Sequence, residues 1–222
     1  MNGAIASPRL ESLYDLPVAA AELRGPPSPN ALFPEELKGQ EKWAAKRVSE
    51  FAAGRQCAHH AMQRLGIEPA PLLSQPDRRP AWPTGVVGSI THCKGYAAAV
   101  VAQASSVRSL GLDAEVFDAV APHLWPRVLN AAEFAWVHSM AESERRIWAT
   151  VVFSAKESFY KCQFGITGCW LEFSDAHVDV SRVSADPVAF SLVTRSQQVM
   201  LQGRGLFVDG TVCTAFAWPI EE

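Results

Sequence analysis

The segment SLGLDAEV at residues 109–116 decides the fold, because small or polar residues alternate in it with apolar ones. Such alternation predicts a β-strand with one buried face, and we place the start of this strand near Val107. Asp113 and Glu115 are two positions apart, so their carboxylates share one face of the strand, while Leu112 and Ala114 point to the other. The strand therefore presents a pair of acidic groups on one surface.

Upstream of this strand, the runs VVGSITH (86–92) and YAAAVVA (96–102) predict a β-hairpin that bends around Lys94 and Gly95. Apolar residues at helical spacing over residues 35–65 predict one long helix or two abutting helices, and Gly66 supplies the stop. The first 34 residues contain six prolines, so we expect mostly loop there, with one short helical piece around Leu16–Leu23.

Downstream, residues 124–148 predict one or two helices, and Val151–Phe164 predicts another that ends at Gly165. The rest of the chain alternates as strands, the last two joined by Asp209-Gly210, which favours a tight type I′ turn. The predicted strands are Trp170–Val180, Val188–Val193, Val199–Leu201, Leu206–Val208 and Val212–Trp218. Helix followed by antiparallel strands thus occurs twice, which predicts an α+β fold of two subdomains, 1–107 and 108–222, without a detectable sequence repeat.

The composition is that of a globular protein: 222 residues, 48% hydrophobic, 19% charged, with a mean hydropathy of +0.01. A net charge of −3 argues against a general nucleic-acid binder. Residues 38–64 differ, since six basic and two acidic side chains give this segment a charge of +4, which suits a small polyanion. Without a leader pattern or a run long enough to span a bilayer, we expect no membrane partner and a cytoplasmic protein.

The five cysteines are odd in number and contain no CxxC pair, which favours free thiols in a reducing compartment. Cys57 lies close to His59 and His60, but no second ligand pair follows at zinc-site spacing. We therefore interpret these three residues as ordinary helix positions.

Three carboxylates carry the chemical hypothesis: Asp113 and Glu115 on the strand and Glu157 on the later helix. Oxygen ligands of this kind hold Mg²⁺, which usually takes its remaining positions from water and substrate phosphates. Read singly, the strand pair is typical of a solvent-facing edge. Glu157 with Lys161 is likewise typical of an exposed i,i+4 ion pair. Only the occurrence of these residues together, in recognisable segments, favours a site.

The combination of motifs is specific. Five segments occur in this order along the chain: KRVSEFAAGRQCA (46–58), RRPAWP (78–83), GSITH (88–92), GLDAE (111–115) and FSAKESFYK (153–161). These segments closely resemble the signature motifs of the 4'-phosphopantetheinyl transferases, in the branch that activates siderophore, polyketide and nonribosomal peptide synthases. The resemblance covers most of residues 35–175. It implies a pseudo-twofold pair of α+β halves with coenzyme A in the cleft between them, the first half binding nucleotide and the second binding metal.

The resemblance also implies residue roles. Asp113, Glu115 and Glu157 match ligands of Mg²⁺, with Mn²⁺ as an alternative. Glu157 deprotonates the carrier serine, which displaces adenosine 3',5'-bisphosphate, while Lys156 and Lys161 stabilise phosphate charge. A carboxylate bound to Mg²⁺ beside Lys161 should have a lowered pKa and be a weak base, so a metal-bound water that relays the proton is the alternative. Six residues match positions that contact coenzyme A in the family: Arg47, Arg55, Arg78, Arg79, Ser89 and His92. The loop that carries Arg78 and Arg79 departs from the Lys-Gly-rich form of some relatives, so either arginine is a candidate.

Two other functions fit parts of the pattern. A metal-dependent phosphohydrolase would use the same carboxylates without an acceptor protein, and a coenzyme A-binding module would have lost the acidic residues or Lys161. The expected partners are coenzyme A and the apo carrier proteins of fatty acid, polyketide or nonribosomal peptide synthases. We expect a monomer, because both halves lie in one chain.

Overall fold

The computed structural model describes residues 4–180, 184–185, 188–194 and 199–220. The chain divides into two compact units, Met1–Arg108 together with Ile220–Glu222, and Ser109–Pro219. Each unit combines an antiparallel sheet with one long helix packed on it, so the α+β fold class predicted from the sequence is confirmed. No helix within the described ranges has both the length and the apolar character needed to cross a bilayer.

The first unit is a four-stranded antiparallel sheet covered by one helix. Its strands, in the sheet order β1-β2-β4-β3, are β1 (Ile5–Ala6), β2 (Ala19–Arg24), β3 (Val86–Cys93) and β4 (Tyr96–Gln103). Its helices are α1 (Pro8–Glu11), a 3₁₀ helix (Pro34–Leu37) and α2 (Ala45–Arg64). Helix α2 packs its alanine-rich face, including Ala58 and Ala61, against buried residues of β2 and β4. Small side chains let the helix approach the sheet closely.

Several predictions for this unit are confirmed. The hairpin forms with Cys93 paired to Tyr96, and α2 is followed by Gly66 with φ +76°. The helical piece expected around Leu16–Leu23 is wrong, since Ala19–Arg24 is a strand along β4. Pairing and burial there outweigh alanine's intrinsic helix preference. The long helix also begins at Ala45 and not at residue 35.

The second unit has a six-stranded antiparallel sheet with one dominant helix. Five strands follow the order β5-β10-β9-β8-β6, and β7 pairs with β8. The strands are β5 (Ser109–Val116), β6 (Ala176–Val178), β7 (Ser184–Ala185), β8 (Val188–Thr194), β9 (Met200–Val208) and β10 (Thr211–Trp218). The helices are two 3₁₀ turns (Pro122–Leu124 and Phe173–Asp175), α3 (Trp125–Val128), α4 (Ala131–Ser139) and α5 (Arg145–Thr167).

The predicted type I′ turn is confirmed, since Asp209 and Gly210 join β9 to β10 with positive φ values of 44° and 80°. The predicted end of the last helix at Gly165 is wrong. Helix α5 continues to Thr167 and ends at Gly168, which has the left-handed φ of +62°. A glycine inside a helix lowers its stability but does not end it, whereas the left-handed residue does.

Helix α5 and strand β5 meet backbone to backbone. A Cβ atom on Gly111 would lie 1.9 Å from the carbonyl oxygen of Ser158 and 2.9 Å from Cβ of Cys162, so any side chain there would push the helix away. This contact places Asp113, two residues further along β5, under the helix that carries Glu157 and Lys161. The closeness of strand and helix therefore builds the acidic site.

We predict that Gly111→Ala lowers the free energy of unfolding by at least about 2 kcal/mol, because the added methyl collides with helix backbone that cannot rotate away. Denaturant unfolding followed by circular dichroism measures it. The matched control is Gly165→Ala in α5, where the new Cβ meets the Ser109 side chain, its hydroxyl at 2.8 Å and its Cβ at 3.6 Å, and the hydroxyl can rotate away. Equal losses in the two variants would contradict the backbone-contact explanation.

Candidate active site

Three carboxylates of the second unit, those of Asp113, Glu115 and Glu157, interact electrostatically with Lys161. Asp113 on β5 is buried, and its Oδ1 accepts a hydrogen bond from Lys161 Nζ at 2.7 Å. The same ammonium donates to the carbonyl oxygen of Leu112 at 3.1 Å. Lys161 therefore links the helix to the strand, a contact that the i,i+4 spacing with Glu157 alone does not predict. Lys161 fixes Asp113 against α5.

The electrostatics of this cluster are those of acidic groups sharing a confined space. Burial raises the pKa of Glu115 to about 7, with further increases from the charges of Asp113 and Glu157 and a decrease from Lys161. Burial also raises the pKa of Glu157, and Asp113 adds to that rise while Lys161 opposes it. The sequence predicted a lowered pKa for Glu157 when bound to metal beside Lys161. In the chain without metal the pKa of Glu157 is raised, because the effects of burial and of the Asp113 charge exceed that of Lys161.

This donor set fits a divalent cation in its chemistry. All three groups are hard oxygen donors, and the charge of Asp113 raises the pKa of both Glu115 and Glu157, so a cation would relieve the repulsion. Among the described residues, no group of three or more His, Cys, Asp or Glu side chains is already arranged as a metal cluster. Mg²⁺ does not need such a cage, since one or two carboxylates with phosphate oxygens and water satisfy it.

The first unit contains a basic cavity of about 670 Å³. Four sequence-predicted residues line it: Arg47, Arg55, Arg78 and His92. Trp43 contributes an aromatic wall, and the Arg47 guanidinium lies 5.5 Å from the centroid of its ring. Three guanidinium groups beside aromatic rings form a place where a phosphate and a planar base can bind together.

Arg79 and Ser89, which the sequence also predicted to contact coenzyme A, are not among the described residues that line this cavity. Arg79 forms an ion pair with Asp77, with Nη2 and Oδ2 2.8 Å apart. Ser89 is buried within β3. The structure thus separates the two candidate arginines: Arg78 faces the cavity with a positive φ of 72°, whereas Arg79 holds its own loop together.

Lys156 requires a correction, because the structure gives it an internal partner. Its side chain is 1% exposed, and Nζ donates to Glu133 Oε2 at 2.7 Å and to the carbonyl oxygens of Val128 and Phe173. These three acceptors match the three donors of an ammonium group. We therefore assign Lys156 to holding α5 in place and remove it from the phosphate contacts.

Glu157 also lines a second, smaller cavity, of about 170 Å³. Its wall is largely apolar and includes Tyr160, Trp170, Leu171 and Phe173. Tyr160 packs edge-on against Trp170, with ring centroids 5.4 Å apart. The candidate base thus lies at the rim of an aromatic recess.

Sequence reasoning missed Glu36 in the first unit and Glu133 in the second, whose side chains are both fully buried. Glu133 accepts from the backbone N–H of Asn130 and of Val178 as well as from Lys156. Glu36 accepts from the N–H of Phe33 and of Leu72. The Asn-x-x-Glu capping spacing at 130–133 was a readable signal for Glu133. For Glu36 there was no such signal, since phenylalanine is not a capping residue.

The comparisons with known proteins agree with this geometry. Residues 35–102 match the model of the 4'-phosphopantetheinyl transferase N-terminal domain, and residues 109–213 match that of the 4'-phosphopantetheinyl transferase superfamily. The 4'-phosphopantetheinyl transferase PptT of Mycobacterium tuberculosis is 36% identical over 89% of this chain and 91% of the relative. The transferase Npt of Nocardia iowensis is 32% identical over 94% and 99%, and Svp of Streptomyces mobaraensis is 41% identical over 74% and 65%.

A basic cavity in one unit and an acidic cluster in the other, on a chain with these relatives, define a group-transfer enzyme. The chain belongs to the 4'-phosphopantetheinyl transferase superfamily. It uses coenzyme A as substrate and transfers the phosphopantetheine arm to carrier proteins. The resemblance inferred from the five motifs is thereby confirmed.

We predict that Glu133→Ala lowers the free energy of unfolding by about 3–5 kcal/mol, because it leaves the ammonium of Lys156 buried without a counter-charge. Urea unfolding measures the loss. The paired change Glu133→Leu with Lys156→Met removes both charges at similar volume, and it recovers most of the stability. Glu142→Ala, at an exposed position beyond α4, is the matched control. A loss below about 1 kcal/mol for Glu133→Ala would contradict the buried pair.

Proposed function

We propose that the transfer depends on Mg²⁺ and releases adenosine 3',5'-bisphosphate, with the acidic cluster of the second unit as its catalytic centre. The observation that supports this most directly is the raised pKa of Glu115 and Glu157 around a buried Asp113. Carboxyl groups whose pKa is raised by burial and by a neighbouring charge are typical of active sites. The motif match alone would give the residues but not their electrostatic coupling.

Asp113, Glu115 and Glu157 would hold the metal ion, with Mn²⁺ as an alternative. When bound, the ion supplies neutralisation of the negative charge on the pyrophosphate of coenzyme A. Lys161 adds a second positive charge at the same place, already oriented by its bonds to Asp113 and Leu112. Positioning and electrostatics are thus built into the contact between α5 and β5.

Glu157 is the proposed general base. In the chain without metal, burial and the neighbouring charge of Asp113 raise its pKa. A bound cation would lower this pKa again, which favours passing the proton through a water molecule. The serine hydroxyl of the carrier gives its proton to Glu157, and the serine oxygen bonds to the β-phosphorus of coenzyme A. The bond from that phosphorus to the bridging oxygen breaks, so adenosine 3',5'-bisphosphate leaves. A water molecule between serine and Glu157 would carry the same proton in the alternative route.

The basic cavity of the first unit is the proposed nucleotide site. Arg47, Arg55, Arg78 and His92 provide donors for the 3'-phosphate and pyrophosphate, and Trp43 provides a flat surface for adenine. Ser89 and Arg79 then support the walls of the site and do not contact nucleotide. The acceptors are proposed to be apo carrier proteins of fatty acid, polyketide or nonribosomal peptide synthases, including those of siderophore assembly, with the enzyme acting as a monomer.

We predict that incubation with coenzyme A, Mg²⁺ and an apo carrier adds one phosphopantetheine to the carrier, as measured by intact-mass analysis. Glu157→Ala abolishes the addition, and chelation of the metal with EDTA does the same until Mg²⁺ is restored. Phosphate release from coenzyme A without any modified carrier, tested across several carrier types, would instead support a phosphohydrolase. A binding module would give neither signal.

The adjacent arginines provide a second test. We predict that Arg78→Ala raises the KM for coenzyme A about tenfold, the loss expected for a charge-assisted hydrogen bond to phosphate. Arg79→Ala is the matched control, since its guanidinium is paired with Asp77, and its KM stays close to that of the wild type. The reverse order of effects would show that the loop binds nucleotide through Arg79.

A further inference from the structure

Glu36 is a buried carboxylate with several partners, although it lies in a short surface 3₁₀ helix. Its side chain is 0% exposed. Oε2 accepts from the backbone N–H of Phe33 at 2.8 Å, and Oε1 accepts from that of Leu72 at 2.8 Å. His59 Nε2 lies 3.0 Å from Oε1. The carboxylate thus joins α2 to two chain segments far apart in the sequence.

Arg55 is held by the same network. Its Nε lies 3.9 Å from Glu36 Oε1 and donates to the carbonyl oxygen of Leu72 at 2.7 Å, while Nη2 is 3.3 Å from Ser74 Oγ. One face of the guanidinium covers the ring of Phe51, 4.3 Å from its centroid. Leu72 therefore binds Glu36 through its N–H and Arg55 through its C=O, which closes a ring of contacts at the base of the cavity.

The charge of Glu36 compensates a cation that has lost most of its water. Arg55 is 5% exposed, and burial lowers its pKa to about 10, an effect that the negative charge of Glu36 opposes. The guanidinium remains charged at neutral pH. A buried cation without a counter-charge either moves toward water or costs several kcal/mol. Glu36 offsets part of that cost while Arg55 lines the cavity.

We propose that Glu36 is a positioning residue, which fixes the Arg55 guanidinium at the base of the cavity so that it selects coenzyme A through the 3'-phosphate. This inference rests on the nucleotide role proposed for Arg55. Glu36 acts through Arg55 and does not touch the substrate. It also anchors Leu72 at the start of the loop in which Ser74 pairs with Pro80 and Arg78 faces the cavity.

The discriminating measurement compares coenzyme A with dephospho-coenzyme A, which differs only by the 3'-phosphate. Isothermal titration calorimetry of the full chain with Mg²⁺ gives both dissociation constants. Glu36→Gln keeps the size of the side chain but removes its charge, and its single acceptor oxygen cannot serve both Phe33 and Leu72. We expect the Kd for coenzyme A to rise about tenfold and the Kd for dephospho-coenzyme A to change less than about twofold.

Glu35→Gln is the matched control, because Glu35 lies on the same short helix and is exposed. It should leave both constants unchanged. A purely structural role for Glu36 would weaken both ligands equally, and that result, or unchanged constants, would overturn the proposal. If Glu36→Gln does not fold, Glu36→Asp keeps the charge one methylene further away, and a smaller rise confined to coenzyme A is expected.

A double-variant cycle separates this proposal from the one on which it rests. Arg55→Ala should abolish the preference for coenzyme A over dephospho-coenzyme A, and adding Glu36→Gln should change the ratio no further. If Arg55→Ala leaves the preference intact, the nucleotide role of Arg55 fails. If Arg55→Ala abolishes the preference and Glu36→Gln preserves it, Arg55 binds the phosphate but Glu36 does not position it.

Discussion

The contact of α5 with β5 is the constraint on which the acidic site depends. Because Gly111 lacks a side chain, the helix backbone at Ser158 reaches the strand directly, and Lys161 can bond Asp113 across the contact. Glu115 and Glu157 lie half-buried beside this contact, and burial together with the charge of Asp113 raises their pKa values. Packing and proton affinity thus have a common origin: a wider gap would hydrate the carboxylates and weaken their coupling.

Much of this arrangement could be predicted from the sequence. Period-two alternation located β5, turn chemistry located the Asp209-Gly210 hairpin, and two short motifs located the three carboxylates. Local signals sufficed because each depends on residues near one another in the chain. Local signals failed where residues distant in the sequence determine the structure. Ala19–Arg24 forms a strand because it pairs with β4. Gly165 remains helical, and α5 ends at Gly168, which adopts the left-handed conformation.

The roles of buried ionisable residues were the least predictable part. Lys156 lies next to Glu157 in a signature motif, yet its ammonium points into the protein toward Glu133. Neighbours in sequence on a helix point about 100° apart, so one can face a site while the other faces the core. Glu36 was equally hidden, since its acceptor oxygens meet donors from residue 72 and from α2. Only the tertiary structure brings such donors together.

Glu36 and Glu133 share a pattern of contacts that the sequence does not reveal. Each accepts from the backbone N–H three residues before it, Phe33 or Asn130, and each meets a side chain 23 residues after it, His59 or Lys156. In each unit the glutamate thus ties the helix that carries it to the long helix that follows in the chain. In the first unit the carboxylate also lies beside Arg55, which lines a cavity, whereas in the second its cation is buried. The same spacing therefore serves two different tasks.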